Sequence, residues 1–396
     1  MTTQQTLETF DIHAPQARSG AECLWAKMRE MQGLYRNESY GGYYVVSRYE
    51  DVLKVLTKPA LFSSAHGITL PPPTSVRSLH VPAEVDPPMH GQYRALMMPF
   101  VMPEKVRMRE PVVRAMVERL LAQVPDGVSF DFVRVVGRPL PILVALDLLG
   151  MPAEDAADLE QLVGQLHSDV AAGKSSGAIG RIEDYAKTIL DRRRPTATDP
   201  VEDLVSSVLL GKVDGRPLTE HEQVSMIRLL LIGGFDTTSA TLTEMMRWIA
   251  SEPEQARRLR KDPSLIPGAI EDVVRFTSPA TYLRREVTED VELGGTQLKK
   301  GDSVLVAFGS ANRDPNKFPN PDTIDPTRKP NMHVGFGAGN HRCIGSFLAK
   351  MELTTAFEEI FSQFSEFYVD RSKSVAYTSG LGQAIISLPM IFKRKS

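Results

Sequence analysis

The chain has 396 residues, of which 42% are hydrophobic and 24% charged, with a formal net charge of -3. That composition supports a large buried core and excludes a disordered chain, and the near-balanced charge gives no global footprint for nucleic acid. The only two cysteines, Cys23 and Cys343, stand far apart without metal-finger spacing, which excludes a disulfide framework and a structural zinc centre.

In chain order, Met1 to Pro15 lacks a basic start followed by an apolar run, and no stretch of roughly 18 apolar residues occurs later. Neither a secretion signal nor a membrane anchor is expected, and the protein is read as cytoplasmic. Tyr43 to Val46 reads as a strand. From about Glu104 to Arg275 the apolar residues recur at helical spacing, as in MVERLLAQV, ILVALDLLG and DLEQLVGQL, and Arg192 to Asp199 reads as a surface loop within that region. Strand-like runs return at Val291 to Leu293 and Val304 to Phe308. The pattern predicts a mainly α fold with small peripheral β-sheets. Strands are too few for a doubly wound parallel sheet, and neither GxGxxG nor GxxxxGK[ST] is present.

The longest predicted helix opens at Thr219, where Glu222 completes the spacing of a capping box, and runs to about Ser251, before Pro253 starts another. At 1.5 Å per residue it is roughly 45 Å long. Its middle is unusual: the apolar run Leu229 to Ile232 is followed by Gly233, Gly234, Asp236, Thr237 and Thr238, all poor helix formers. Either a partner approaches the backbone closely there and uses polar chemistry, or the helix kinks against a neighbour.

Further on, FGAGNHRCIG (Phe336 to Gly345) precedes a segment in which Phe347, Leu348, Met351, Phe357, Ile360, Phe361 and Phe364 recur at mostly helical spacing. Cys343 thus stands at a helix N-terminus, where backbone N–H groups and the helix dipole stabilise a thiolate, and Gly337, Gly339 and Gly345 permit close approach of a flat ligand. A glycine-rich loop ending in a buried thiol is the plainer alternative.

In Phe336, Gly339, Cys343 and Gly345 this segment resembles the Phe-x-x-Gly-x-x-x-Cys-x-Gly signature of the cytochrome P450 family, and further family features follow in order along nearly the whole chain. The resemblance implies one catalytic domain over residues 1–396 in the cytochrome P450 fold, with haem b between the long central helix and the cysteine loop. Cys343 is implied as the axial iron ligand, Gly233 and Gly234 as room for O2, and Asp236 with Thr237 as the acid–alcohol pair that relays protons. Haem propionates, which need cationic or donating partners, are matched by His90, Arg94, Arg285 and His341, with Arg284 an alternative to Arg285. The family's Glu-x-x-Arg pair is here Asp272 and Arg275, with Arg328 as third member; aspartate is one methylene shorter, and Glu271 at i,i+4 is a possible substitute. The proline-pinned stretch around Asn312, Arg313, Asp314 and Asp325 matches the family's meander.

The resemblance also implies insertion of one oxygen atom from O2 into a hydrophobic small molecule of terpenoid, steroid or aromatic type by a monomer. Two electrons come from NAD(P)H through a ferredoxin and its reductase, since the chain carries no flavin or iron–sulfur motif. Arg94, Arg107, Arg109, Arg342 and Lys350 are candidates for the docking face. Candidate substrate contacts are the loop from His66 to Pro82, Leu229, Ile232, Gly233, Thr281 to Leu283 and Leu381. A peroxide-driven enzyme and a non-catalytic haem sensor are the competing readings, and retention of Asp236 and Thr237 argues against the first.

Overall fold

The computed structural model describes residues 7, 10–12, 17–71, 80–171, 177–377 and 384–395. Its helices are α1 (Ala17–Glu30), α2 (Tyr49–Thr57), α3 (Met89–Val101), α4 (Pro103–Ala122), α5 (Pro139–Leu148), α6 (Ala156–Ala171), α7 (Gly177–Arg193), α8 (Leu204–Leu210), α9 (Glu220–Ser251), α10 (Pro253–Lys261), α11 (Ile266–Thr277), α12 (Phe308–Ala311) and α13 (Ser346–Gln363). The strands are β1 (Tyr35–Asn37), β2 (Tyr43–Val46), β3 (Phe62–Ser63), β4 (Ser129–Asp131), β5 (Lys212–Val213), β6 (Arg216–Pro217), β7 (Tyr282–Val287), β8 (Val291–Leu293), β9 (Thr296–Leu298), β10 (Ser303–Ala307), β11 (Phe364–Val369), β12 (Ala376–Tyr377), β13 (Ile385–Ser387) and β14 (Pro389–Arg394). The largest sheet has five strands in the order β1-β2-β10-β7-β3; β10 runs parallel to β2 and antiparallel to β7. The mainly α architecture with small sheets is as the periodicity predicts.

The long helix α9 packs against α5, α7 and α11. Its N-terminus is closed by the expected capping box: Thr219 Oγ1 accepts from the Glu222 N–H at 3.3 Å, and Glu222 Oε2 accepts from the Thr219 N–H at 2.7 Å. The helix stays continuous through its unusual middle because the hydroxyls are satisfied within it. Thr237, Thr241 and Thr243 donate to the carbonyls of Gly233, Thr237 and Ser239 at 3.0, 2.9 and 2.7 Å.

Beneath this helix body the segment from Asn312 to Val334 has little regular structure and is held by side chains instead. Asp272 and Arg275, both without solvent exposure, form its anchor: Asp272 Oδ1 lies 2.6 Å from Arg275 Nε and 2.8 Å from Arg328 Nε. Asp272 Oδ2 also accepts from the Asp325 N–H at 2.6 Å, and Arg275 donates to the carbonyls of Asn312, Pro321 and Thr323 at 2.7–3.0 Å. The aspartate therefore serves the segment in full. Glu271 does not substitute for it; it turns instead to His333 Nε2 at 2.8 Å and to Lys350. Among the described residues no helix is long and apolar enough to cross a membrane.

Candidate active site

Cys343 sits on a loop closed by its own backbone: its N–H donates to the Phe336 carbonyl at 2.7 Å, and that of Gly337 donates to Val334 at 2.7 Å. Gly339 is required here for a reason other than ligand approach. Its φ is +63°, and a Cβ would lie 2.6 Å from the Leu56 carbonyl at the end of α2. This loop delivers Cys343 just ahead of α13, facing across a cavity towards the middle of α9.

That cavity has two adjoining lobes of about 250 and 210 Å³, both bordered by Gly233, Gly234, Thr238, Leu283, Arg285, His341, Cys343, Gly345 and Ala349. Together they fall within the ~300–1,000 Å³ typical of small-molecule sites. A Cβ placed on Gly233, Gly234 or Gly345 would meet no protein atom within 4 Å, so these glycines open directly onto the space. Cys343 is exposed onto the open space of this cavity, both lobes of which it borders, while protein crowds it on its other sides. Burial raises its thiol above the ordinary value, against the opposing pull of the Gly345 N–H, Arg94, Arg342 and the Ser346 N–H. The helix terminus alone therefore does not hold the thiolate; coordination to a metal ion would complete the deprotonation.

One end of the cavity is a pocket for negative charge. The rings of His90 and His341 lie 4.0 Å apart, and burial with cationic neighbours holds the two imidazoles down to about 4 and about 3 respectively. Arg285, 3% exposed, donates to the Arg284 carbonyl at 2.8 Å and has no carboxylate within ion-pairing distance among the described residues. Burial brings it down to about 10. Arg94, partly buried, lines the same wall. Arg284 is not its equivalent: it is engaged by the carbonyls of His66 and Gly67 and by Glu286, at 2.7–3.1 Å. A flat, iron-bearing ring with carboxylates at one edge fits this donor set: a sulfur on one side, bare glycines on the other, and at the rim the buried Arg285 and partly buried Arg94, neither ion-paired among the described residues, with Asp86 the carboxylate nearest to Arg285. Haem b is such a group.

The structure brings most of the sequence-derived residues to this cavity. Leu229 lines one lobe, Phe336 and Thr237 the other, and Leu283 both. Asp236 is half-buried on the same turn of α9 but off the cavity wall. Three expectations need correction. Ile232 packs into the helical core, because the cavity face of α9 follows the helical repeat through Met226, Leu229, Leu230 and Gly233. Thr281 faces a different cavity, with Trp25 and Phe276. Of the suggested docking cations, Arg94 lines the interior, Arg109 pairs with Asp147, and Lys350 pairs with Glu271 over the Phe336 ring; Arg107 and Arg342 are left exposed. Leu381 lies outside the described residues, as do residues 72–79 of the loop from His66 to Pro82, whose ends Ile68 and Pro82 reach the cavity.

Sequence reasoning missed Glu352 on α13. It is 4% exposed, lines the larger lobe, leaves Oε2 without a partner, and is pushed well above the ordinary carboxylate range by burial. An acidic residue between Leu348 and Leu353, on an apolar helix face, was the available signal.

Comparison with known proteins agrees with this arrangement. The cytochrome P450 family model matches residues 172–381. Linalool 8-monooxygenase of Pseudomonas putida is 30% identical over 393 residues, covering 94% of this chain and 95% of that protein. Steroid C26-monooxygenase of Mycobacterium tuberculosis is 32% identical over 385 residues, covering 94% of each. The solved structure of cytochrome P450 CYP109Q5 from Chondromyces apiculatus matches with a TM-score of 0.85 at 28% identity, over 99% of this chain and 100% of that one. With its cysteine loop, its glycine-bearing central helix and its relatives in agreement over nearly the full length, the chain belongs to the cytochrome P450 family and is a haem b monooxygenase of the bacterial type.

Proposed function

We propose that this enzyme hydroxylates an uncharged, largely apolar molecule of terpenoid, steroid or branched-lipid type, with electrons delivered from NAD(P)H through a ferredoxin and its reductase. The observation that carries this reading is the wall above Gly233 and Gly234, where Ile68, Met226, Leu229, Leu230 and Leu283 present apolar surface with no charged group on the α9 face. Such a surface selects by shape and desolvation. The names of relatives point the same way, including a linalool, a steroid and a methyl-branched lipid hydroxylase.

Thiolate-ligated haem, when bound, supplies the activation of O2, with electron donation from sulfur favouring O–O cleavage. Cys343 would hold the iron, Phe336 and Gly345 would border the ring, and His90, Arg94, Arg285 and His341 would hold the propionates. Thr237 Oγ1 donates to the Gly233 carbonyl at 3.0 Å, which leaves its lone pairs turned to the cavity to accept and pass a proton. Asp236, between that wall and the outside of α9, would replenish it. One oxygen atom enters the substrate C–H bond, and the other leaves as water with two protons and two electrons.

In this reading residues 1–396 form one catalytic unit that acts as a cytoplasmic monomer. Exposed Arg107 and Arg342 would contribute to the carrier's docking face. The test is reconstitution with a ferredoxin and its reductase, using a linear terpenoid, a sterol and a branched fatty acid as substrates. Hydroxylated product matched to NAD(P)H consumption supports the proposal. Product formed only when peroxide is added, or NAD(P)H use unaffected by every substrate, favours the peroxide-driven enzyme or the sensor.

A further inference from the structure

Glu271, on α11, does not border the cavity, yet an unbroken series of hydrogen bonds joins it to Cys343. The Cys343 N–H donates to the Phe336 carbonyl at 2.7 Å. The peptide unit of that carbonyl also carries the Gly337 N–H, which donates to the Val334 carbonyl at 2.7 Å. The Val334 carbonyl shares its own peptide unit with the Gly335 N–H, and this donates to His333 Nδ1 at 3.1 Å. The series ends on a carboxylate: His333 Nε2 lies 2.8 Å from Glu271 Oε2.

Every link points the same way. Nδ1 accepts from Gly335 only through a lone pair, so the ring hydrogen sits on Nε2 and is donated to the carboxylate, which as an anion can only accept. Groups aligned in this manner polarise one another, so each bond strengthens the next. The parts have little slack. The His333 side chain is 4% exposed, and Lys350 pairs with the second oxygen of Glu271 while its Nζ lies 5.3 Å from the centre of the Phe336 ring. A Cβ on Gly335 would lie 2.7 Å from Val274 Cγ1 and 3.1 Å from His333 Nδ1, so the loop is wedged between α11 and the imidazole. We propose that Glu271 and His333 are positioning residues for Cys343: the series ending on the carboxylate orients the Phe336 carbonyl, which holds the cysteine backbone, and with it the sulfur, at the cavity. This role rests on the reading of Cys343 as the iron ligand.

In the dithionite-reduced holoenzyme with carbon monoxide, thiolate-ligated haem gives a Soret band displaced far to the red, and the rate at which that band is lost on mild heating reports how firmly the sulfur is held. His333→Leu removes the acceptor and should hasten the loss about tenfold. His333→Asn should stay within about twofold of the parent, because an asparagine oxygen accepts the N–H two residues on, as in an Asx turn. Glu271→Ala should hasten the loss by itself and add nothing to His333→Leu, in which the series is already broken. Thr219→Ala, which weakens the cap of α9 and touches none of these bonds, should leave the rate unchanged. The inference is overturned if His333→Leu keeps pace with the parent, if His333→Asn is as fast as His333→Leu, or if the effects at Glu271 and His333 simply add. It is equally overturned if Thr219→Ala matches His333→Leu, as a general loosening of the fold would. A parent that never shows the band would overturn the ligand reading and this inference with it.

Discussion

The hydroxyl of Thr237 donates to the carbonyl of Gly233 one turn back along α9, at 3.0 Å, and both residues face the cavity that holds Cys343. The bond fixes the hydroxyl's rotor and sets its oxygen to receive a proton. Thr237→Ala should retain haem and substrate binding yet divert reducing equivalents to hydrogen peroxide or water, lowering product formed per NAD(P)H by about tenfold or more. Thr237→Ser should recover most of the coupling. Unchanged coupling in the alanine variant would remove Thr237 from the relay.

Arg285 is a buried guanidinium with no carboxylate partner among the described residues, and it therefore gains most from an anion at the cavity rim. Arg285→Ala should release haem about tenfold faster, read as transfer to excess apomyoglobin, with Arg285→Lys between the two. Equal release rates in all three proteins would take the propionate role away from this residue.

Asp272 carries Arg275, Arg328, Asn331 and the Asp325 N–H on one fully buried carboxylate. Removing it leaves Arg275 charged, buried and unpaired. Asp272→Ala should therefore cost about 3–5 kcal/mol in denaturant unfolding, far above the ~0.3–0.5 kcal/mol of an exposed helix pair. A loss below about 1 kcal/mol would mean that the segment from Asn312 to Val334 does not depend on this anchor.

Glu271 supplies a pH dependence of its own. Although burial pushes its carboxyl up, His333 and Lys350 hold it down to about 2, from an ordinary value of 4.5. The folded protein thus binds that proton less readily than the unfolded chain. The stabilisation is fully present above about pH 4.5 and is lost as pH falls towards 2. Glu271→Gln should be less stable by roughly 1–3 kcal/mol at pH 7, and the gap from the parent should narrow between those two pH values. A gap that stays constant with pH would contradict the assignment.

What could be read from the sequence was whatever sits in short contiguous stretches. The Cys343 loop, the Gly233 to Thr238 segment and the Thr219 capping box each carry their chemistry within about ten residues, and local rules suffice for them. Helix phase was harder. Ile232 and Leu230 are equally apolar and two positions apart, so only the packing of α9 decides which one meets the cavity. The orientation of Thr281 depends on how the chain enters β7, and the engagement of Arg284 depends on carbonyls more than 200 residues away in the sequence. Aspartate at 272 gave no sign that it could serve four partners, because the backbone of Asp325 closes in to meet it only in the folded chain.

The proposal that Cys343 would hold the haem iron through its sulfur underlies the whole reading of this site. It is tested most directly by the absorption spectrum of the dithionite-reduced holoenzyme with carbon monoxide, measured alongside Cys343→His. The parent should show a Soret band displaced far to the red, the signature of thiolate-ligated haem, and the variant should lose it. A histidine-type spectrum in the parent, or a red-displaced band that survives in the variant, would contradict the account.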